Sequence, residues 1–134
     1  MTCACGSIHK HSAPVVHGGD EIALGNPLLA LNGRLICKDV AQMLLAVDLL
    51  SEHAALTRAE PGNIFFEWSR SLDEPDTYVL IEAFKEDAAE AHVTSDHFRK
   101  AQADLPQYLT ETPKVRNVVM AGDKWDELGE FRVD

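Results

Sequence analysis

Two apolar segments, "NIFFEWSRS" at 63–71 and "TYVLIEAF" at 77–84, flank the short stretch "LDEPD". Each alternates with the strand period of two, and the proline and acidic residues between them mark a turn, so the three pieces read as a hairpin. In the first strand Ile64, Phe66 and Trp68 share one face, opposite Phe65, Glu67 and Ser69. In the second, Tyr78, Leu80, Glu82 and Phe84 share a face, opposite Val79, Ile81 and Ala83. Both strands are apolar on both faces, so both faces of the sheet need cover. One layer of helices covers only one. The other must meet something else, most simply a second subunit.

The rest of the chain supplies that one layer. "LLALNGRLICK", 28–38, alternates as a strand. Asp39 with Gln42 three residues on is a variant capping box and opens a helix. Val40, Met43, Leu44, Val47, Leu50 and Ala54 recur along it at helical spacing, and Pro61-Gly62 stops it near Glu60. After the hairpin, "KEDAAEAHV" predicts a short helix, and Thr94-Ser95 can cap another, "DHFRKAQADL". "KVRNVVMAG", 114–122, is a fourth strand, and the segment after it is expected to dock Trp125. The order β-α-β-β-α-β is the split βαβ arrangement, an α+β ferredoxin-like fold with an antiparallel sheet and helices on one side.

Residues 1–27 have neither period and are read as an N-terminal arm ahead of one domain, 28–134. The arm carries Cys3, Cys5, His9, His11 and His17. Soft thiolates and imidazoles so clustered suit zinc or copper, which makes Cys3, Cys5, His9 and His11 alternative metal ligands. Against this, C-x-C is not the usual zinc-knuckle spacing, and no second cysteine pair follows.

A net charge of −10 with scattered Lys and Arg argues against nucleic acid and against anionic membrane as partners. No apolar run approaches the roughly 18 residues of a membrane helix, and the N-terminus lacks a secretory h-region. Three cysteines cannot all pair, and Cys3 and Cys5 are too close for an ordinary disulfide, so a reducing, cytoplasmic compartment is expected. There is no Gly-rich dinucleotide fingerprint and no P-loop.

Arg58, Glu60, Pro61 and Gly62 entering an aromatic strand, then Glu82 and Phe84, then His92, Ser95, His97 and Phe98, form a combined pattern. Over about residues 28–122 it resembles the antibiotic biosynthesis monooxygenase domain, including its quinol monooxygenase-like members. The resemblance implies a dimeric α+β barrel whose two sheets pack together. It also implies a homodimer that oxidises a small hydroquinone or polyphenol-type aromatic with O2, with no flavin, haem or metal as cofactor.

Within "HVTSDHF" the two histidines are five apart, about 140° around a continuous helix, whereas a zinc pair prefers three or four. His97 is therefore expected to bond locally or to cap the helix break. His92, at the pocket-lining position of the resemblance, suits a base, since an imidazole titrates near neutral pH. Glu82 is the candidate to orient it, as a carboxylate orients a catalytic imidazole. Phe66, Trp68, Tyr78, Phe84 and Phe98 are candidate walls for a flat aromatic, and Asn32 a candidate donor to a substrate oxygen. Competing readings on the same fold are a small-ligand or metal-binding dimer without catalysis and an isomerase of a small sugar-like metabolite. Haem cleavage is disfavoured, because the haem-ligating histidine of those relatives is missing.

Overall fold

The computed structural model describes residues 28–134. The N-terminal arm, with Cys3, Cys5, His9 and His11, lies outside the described residues. Strands β1 (Leu28–Ile36), β2 (Asn63–Arg70), β3 (Thr77–Lys85) and β4 (Lys114–Met120) form one antiparallel sheet in the order β2-β3-β1-β4. Helices α1 (Val40–Leu45) and α2 (Val47–Arg58) connect β1 to β2, and α3 (Ala89–Val93) and α4 (Asp96–Asp104) connect β3 to β4. This is the expected ferredoxin-like α+β fold.

The one helix expected from Asp39 to Glu60 is two. Asp39 caps α1, its Oδ1 accepting from the Gln42 N–H at 2.7 Å. At the junction the Ala46 N–H is shared between the carbonyls of Gln42 and Met43, a local tightening that no breaker residue announces. Ala46 is fully buried there, so the step lets α1 and α2 each seat an apolar side.

Leu29, Leu31, Leu35, Phe66, Leu80 and Phe84 point from the sheet into the helices. They meet Met43, Leu50, Ala54 and Ala89, each almost wholly buried. Large side chains so placed contribute roughly 1.5–3 kcal/mol apiece, which makes this face the main source of stability. At the start of β2 a bulge lies between Asn63 and Phe65, held by the Asn63 amide donating to the carbonyls of Phe65 and Ala83. The bulge sets Phe66 opposite Glu82, which stands opposite Leu31 on its other side. Leu31, Glu82 and Phe66 thus form one row across the helix-facing side.

The other face is uncovered in the single chain. Val79 and Ile81 are half-buried there, and Asn32 and Arg34 are exposed. The Arg34–Glu74 ion pair on this side spans 2.6 Å between two side chains about half exposed, an arrangement that adds little stability. In the single chain Trp125 is 91% exposed, and Phe131 and Val133 are exposed as well. No helix among the described residues is long and apolar enough to cross a membrane.

Candidate functional site

Three helical pieces deliver histidines to one place. His53 lies on α2, one turn past the buried Leu50, so helical spacing turns it toward the sheet. His92 lies on α3, and His97 in the first turn of α4. Ser95 holds the break between the last two. Its hydroxyl donates to the His92 carbonyl at 2.6 Å and accepts from the Phe98 N–H at 3.2 Å, so one side chain closes α3 and caps α4. Glu60 arrives from the turn after α2. Gly62 lets this turn lie against Ala88, whose Cβ a side chain at 62 would meet at 2.0 Å.

These residues form a network around a single carboxylate oxygen. His92 Nδ1 lies 2.8 Å from Glu60 Oε2, and His97 Nε2 lies 2.6 Å from the same atom. A carboxylate accepts, so each ring nitrogen facing it carries the proton. Glu60 Oε1 is buried and has no hydrogen-bond partner among the described residues. The two histidines were placed on opposite sides of a helix by their spacing. The Thr94–Ser95 break swings them together instead, and His97 makes a long-range contact rather than a local one. The carboxylate on His92 Nδ1 is Glu60, a residue of the Arg-x-Glu-Pro-Gly turn.

His53 completes the group. Its Nδ1 donates to the His97 carbonyl at 3.3 Å, and its ring centre lies 5.5 Å from those of His92 and His97. Burial, with the His92 imidazole beside it, pushes the His53 pKa down to about 4. Burial also lowers that of His92, against the opposing pull of Glu60. Both rings are therefore neutral at pH 7. Burial thus makes His92 a weaker base than a free imidazole, but one held more in its proton-accepting form.

A cavity of about 500 Å³ opens between the sheet and the helices. Leu31, Leu80, Phe66, Trp68 and Glu82 line it from the sheet, and Leu50, His53, His92, Phe98 and Gln102 from the helices. Such a volume suits a small organic molecule, and the mostly apolar wall suits a flat, uncharged one. His92 is only 1% exposed and His53 7%, so each meets the cavity through a small part of its ring. Glu82, 4% exposed, belongs to the cavity floor.

The other expected wall residues divide. Phe66, Trp68 and Phe98 line the cavity. Phe84 lies behind it, its ring 4.7 Å from that of His92 and tilted by 30°, where it packs the imidazole in place. Tyr78 belongs to the core near α1, its hydroxyl donating to the Met43 carbonyl at 2.7 Å. Asn32 is exposed on the opposite face of the sheet, because Leu31 and Gly33 take the inward positions on either side of it. Arg58 sits in the last turn of α2 and donates from Nε to the Phe66 carbonyl at 2.9 Å. His53 and Glu60 were not expected at the site. Helical spacing from Leu50 and the Pro-Gly turn were the signals that could have placed them.

The donor atoms of Glu60, His92 and His97 lie within 4.8 Å of one another, and imidazole with carboxylate suits zinc or iron. The 2.6 and 2.8 Å separations are hydrogen-bond lengths. Two donors on one tetrahedral ion stand farther apart, about 3.3 Å, so a metal would have to push Glu60 back.

The family model described as antibiotic biosynthesis monooxygenase matches residues 39–104, which hold α1 to α4 and every member of the histidine–glutamate network. Over that stretch the chain is similar to this family. Solved structures share its fold. A Nitrosomonas europaea protein named for the same family superposes with a TM-score of 0.67 at 21% identity, over 71% of this chain and 91% of that one. Rv0793 from Mycobacterium tuberculosis gives 0.63 at 24% identity, over 75% and 98%. A protein from Pseudomonas aeruginosa gives 0.64 at 20% identity, over 72% and 96%. No curated protein sequence matches the chain.

Proposed function

We propose that this protein is a member of that family and a cofactor-independent monooxygenase acting on a small hydroquinone or polyphenol-type aromatic. One observation carries the reading: a neutral imidazole, His92, in the wall of an apolar cavity and held at Nδ1 by the half-buried Glu60 carboxylate. With Nδ1 protonated, Nε2 is left as the proton acceptor, and the carboxylate stabilises the imidazolium that forms. Phe84 at the back of the ring and His97 on the shared oxygen keep that geometry fixed.

The chemistry follows from the substrate's own electrons. Removing a phenolic proton raises the electron density of the ring enough for it to reduce O2. One oxygen atom ends on a ring carbon as a carbonyl, and the other leaves as water with two hydrogens from the substrate. The substrate supplies all four electrons. The protein's contributions are the base, the orientation of the aromatic against Phe66 and Trp68, and exclusion of bulk water. A positioned base of this kind is worth roughly 10²–10⁴ in rate.

The uncovered sheet face, with Val79 and Ile81 half-buried, supports a homodimer that packs sheet against sheet. Cys37, buried and free, is in keeping with a cytoplasmic setting. The test is turnover of hydroquinones and polyphenols by metal-stripped protein under ¹⁸O2, with mass spectrometry of the product. One labelled oxygen in an oxidised product supports the reading. Labelled product that appears only after zinc or iron is restored transfers the chemistry to a metal on Glu60, His92 and His97. No product from any compound leaves a binding protein.

A further inference from the structure

Glu60, His92 and His97 come from the turn after α2, from α3 and from the first turn of α4, and their donor atoms lie within 4.8 Å of one another. Glu60 Oε2 meets both ring nitrogens, while Oε1 is buried with no hydrogen-bond partner among the described residues. A carboxylate oxygen taken from water and left unbonded costs free energy, and the hydrogen-bonded network leaves that cost standing. A cation between the rings and the carboxylate compensates it, through a second bond or through charge alone. The rings are placed for one. Two imidazoles on a tetrahedral ion, bonded at about 2.0–2.1 Å, hold their ring centres roughly 5.2 Å apart. Those of His92 and His97 are 5.8 Å apart. Glu60 must retreat from the two nitrogens by about 0.5–0.7 Å, and its side chain has no other hydrogen bond among the described residues to break. The side chains of Glu60 and His97 are 14% exposed, which gives an ion its entry and water its place as a fourth ligand.

We infer that Glu60, His92 and His97 form a site for one divalent transition ion such as zinc, and that filling the site shuts off the base. Two imidazole nitrogens with one carboxylate disfavour calcium and magnesium, which take oxygen ligands. The ion bonds at His92 Nδ1 and His97 Nε2, the nitrogens that face Glu60 in the hydrogen-bonded network. A neutral imidazole has one proton for its two nitrogens. Metal on His92 Nδ1 therefore puts the proton on Nε2, the atom the oxygenase needs bare. It also takes Glu60 away from the ring, so nothing stabilises an imidazolium. Proton and metal exclude each other at a single nitrogen. The site thus has two states, a hydrogen-bonded one with a working base and a metal-filled one without. His53 stands outside it, its Nδ1 on the His97 carbonyl. The shut-off rests on the oxygenase reading, and the metal site does not.

The experiment is zinc titration of the metal-stripped full chain carrying Cys3→Ser and Cys5→Ser, so that no thiolate of the arm competes. Histidine side-chain ¹⁵N NMR follows the tautomers. With zinc bound, His92 is expected to lose its Nδ1 proton and carry one on Nε2, and His97 to lose its Nε2 proton, while His53 keeps its tautomer. His97→Ala on the same background is expected to weaken zinc binding by more than about a hundredfold, since even the partners of metal ligands are worth roughly 10–100-fold. The NMR readout needs no change in the site, so the test stands even where His97→Ala does not fold. No zinc uptake, tautomers of His92 and His97 unchanged by zinc, or equal affinity in folded His97→Ala overturns the site. Oxygen uptake by the metal-stripped protein is expected to fall in proportion to zinc occupancy. Uptake unchanged or raised with the site filled overturns the shut-off. No uptake before zinc is added refutes the oxygenase reading and with it the shut-off, while the tautomers still decide the site.

Discussion

His53 makes stability depend on pH in a way that can be worked out in advance. Its pKa moves from 6.5 to about 4 on folding, because burial disfavours the charged ring and His92 stands beside it. Between these values the unfolded chain binds a proton that the folded chain refuses, so stability rises with pH across this window. In the other direction, the contribution is intact above pH 6.5, is lost progressively toward pH 4, and is constant below. A difference of about 2.5 units corresponds to roughly 3 kcal/mol. The titratable groups facing the ring are His92, His97 and Glu60. They remain in His53→Phe, which packs between Phe66 and Phe98 in the same space. Urea unfolding of both proteins at pH 7, 6, 5 and 4 therefore isolates the residue. The variant is expected to lose about 3 kcal/mol less than the parent between pH 7 and 4. Parallel losses in the two proteins would refute the burial of a neutral His53.

Other perturbations read other joints. Tyr78→Phe removes the hydroxyl's hydrogen bond to the Met43 carbonyl and is expected to cost about 1–1.5 kcal/mol in urea unfolding, with substrate binding unchanged, since Tyr78 lies outside the cavity. Gly62→Ala drives a Cβ against that of Ala88 and is expected to cost about 1–3 kcal/mol by thermal or urea unfolding. Ser95→Ala removes the cap of α4 and the bond to the His92 carbonyl. It is expected to cost about 1 kcal/mol in unfolding and to lower kcat more than it raises KM, because His92 and His97 lose their fixed relation.

The sheet was legible because its signal is local. Strand alternation at 28–38, 63–71 and 77–84 fixed which residues face the helices, and the double-sided hairpin implied an uncovered second face. The same alternation put Asn32 with Arg34 and Ile36, opposite Leu31 and Leu35, so its outward position was readable although a substrate role was assigned to it. Tyr78 and Phe84 do face the helices as the alternation requires. Their distance along β3 from the cavity floor was not in the pattern. The network itself was hidden for another reason. A spacing of five excludes neighbours on one helix, but it says nothing once a cap turns the second helix. Glu60 reaches its partners across 32 and 37 residues of chain, a contact that only the packing of α2 against α4 creates. His53 is readable as a residue of the buried face of α2, but a lone histidine on such a face carries no motif.

The central claim is that His92, held by Glu60, is the base of an oxygenation that needs no cofactor. Oxygen uptake by the metal-stripped protein with a panel of hydroquinones and polyphenols, beside His92→Ala and Glu60→Gln, tests it most directly. Uptake above autoxidation, lowered by roughly 10²–10⁴ in His92→Ala and clearly lowered in Glu60→Gln with both variants folded, is the predicted result. Uptake in folded His92→Ala equal to that of the parent would contradict it.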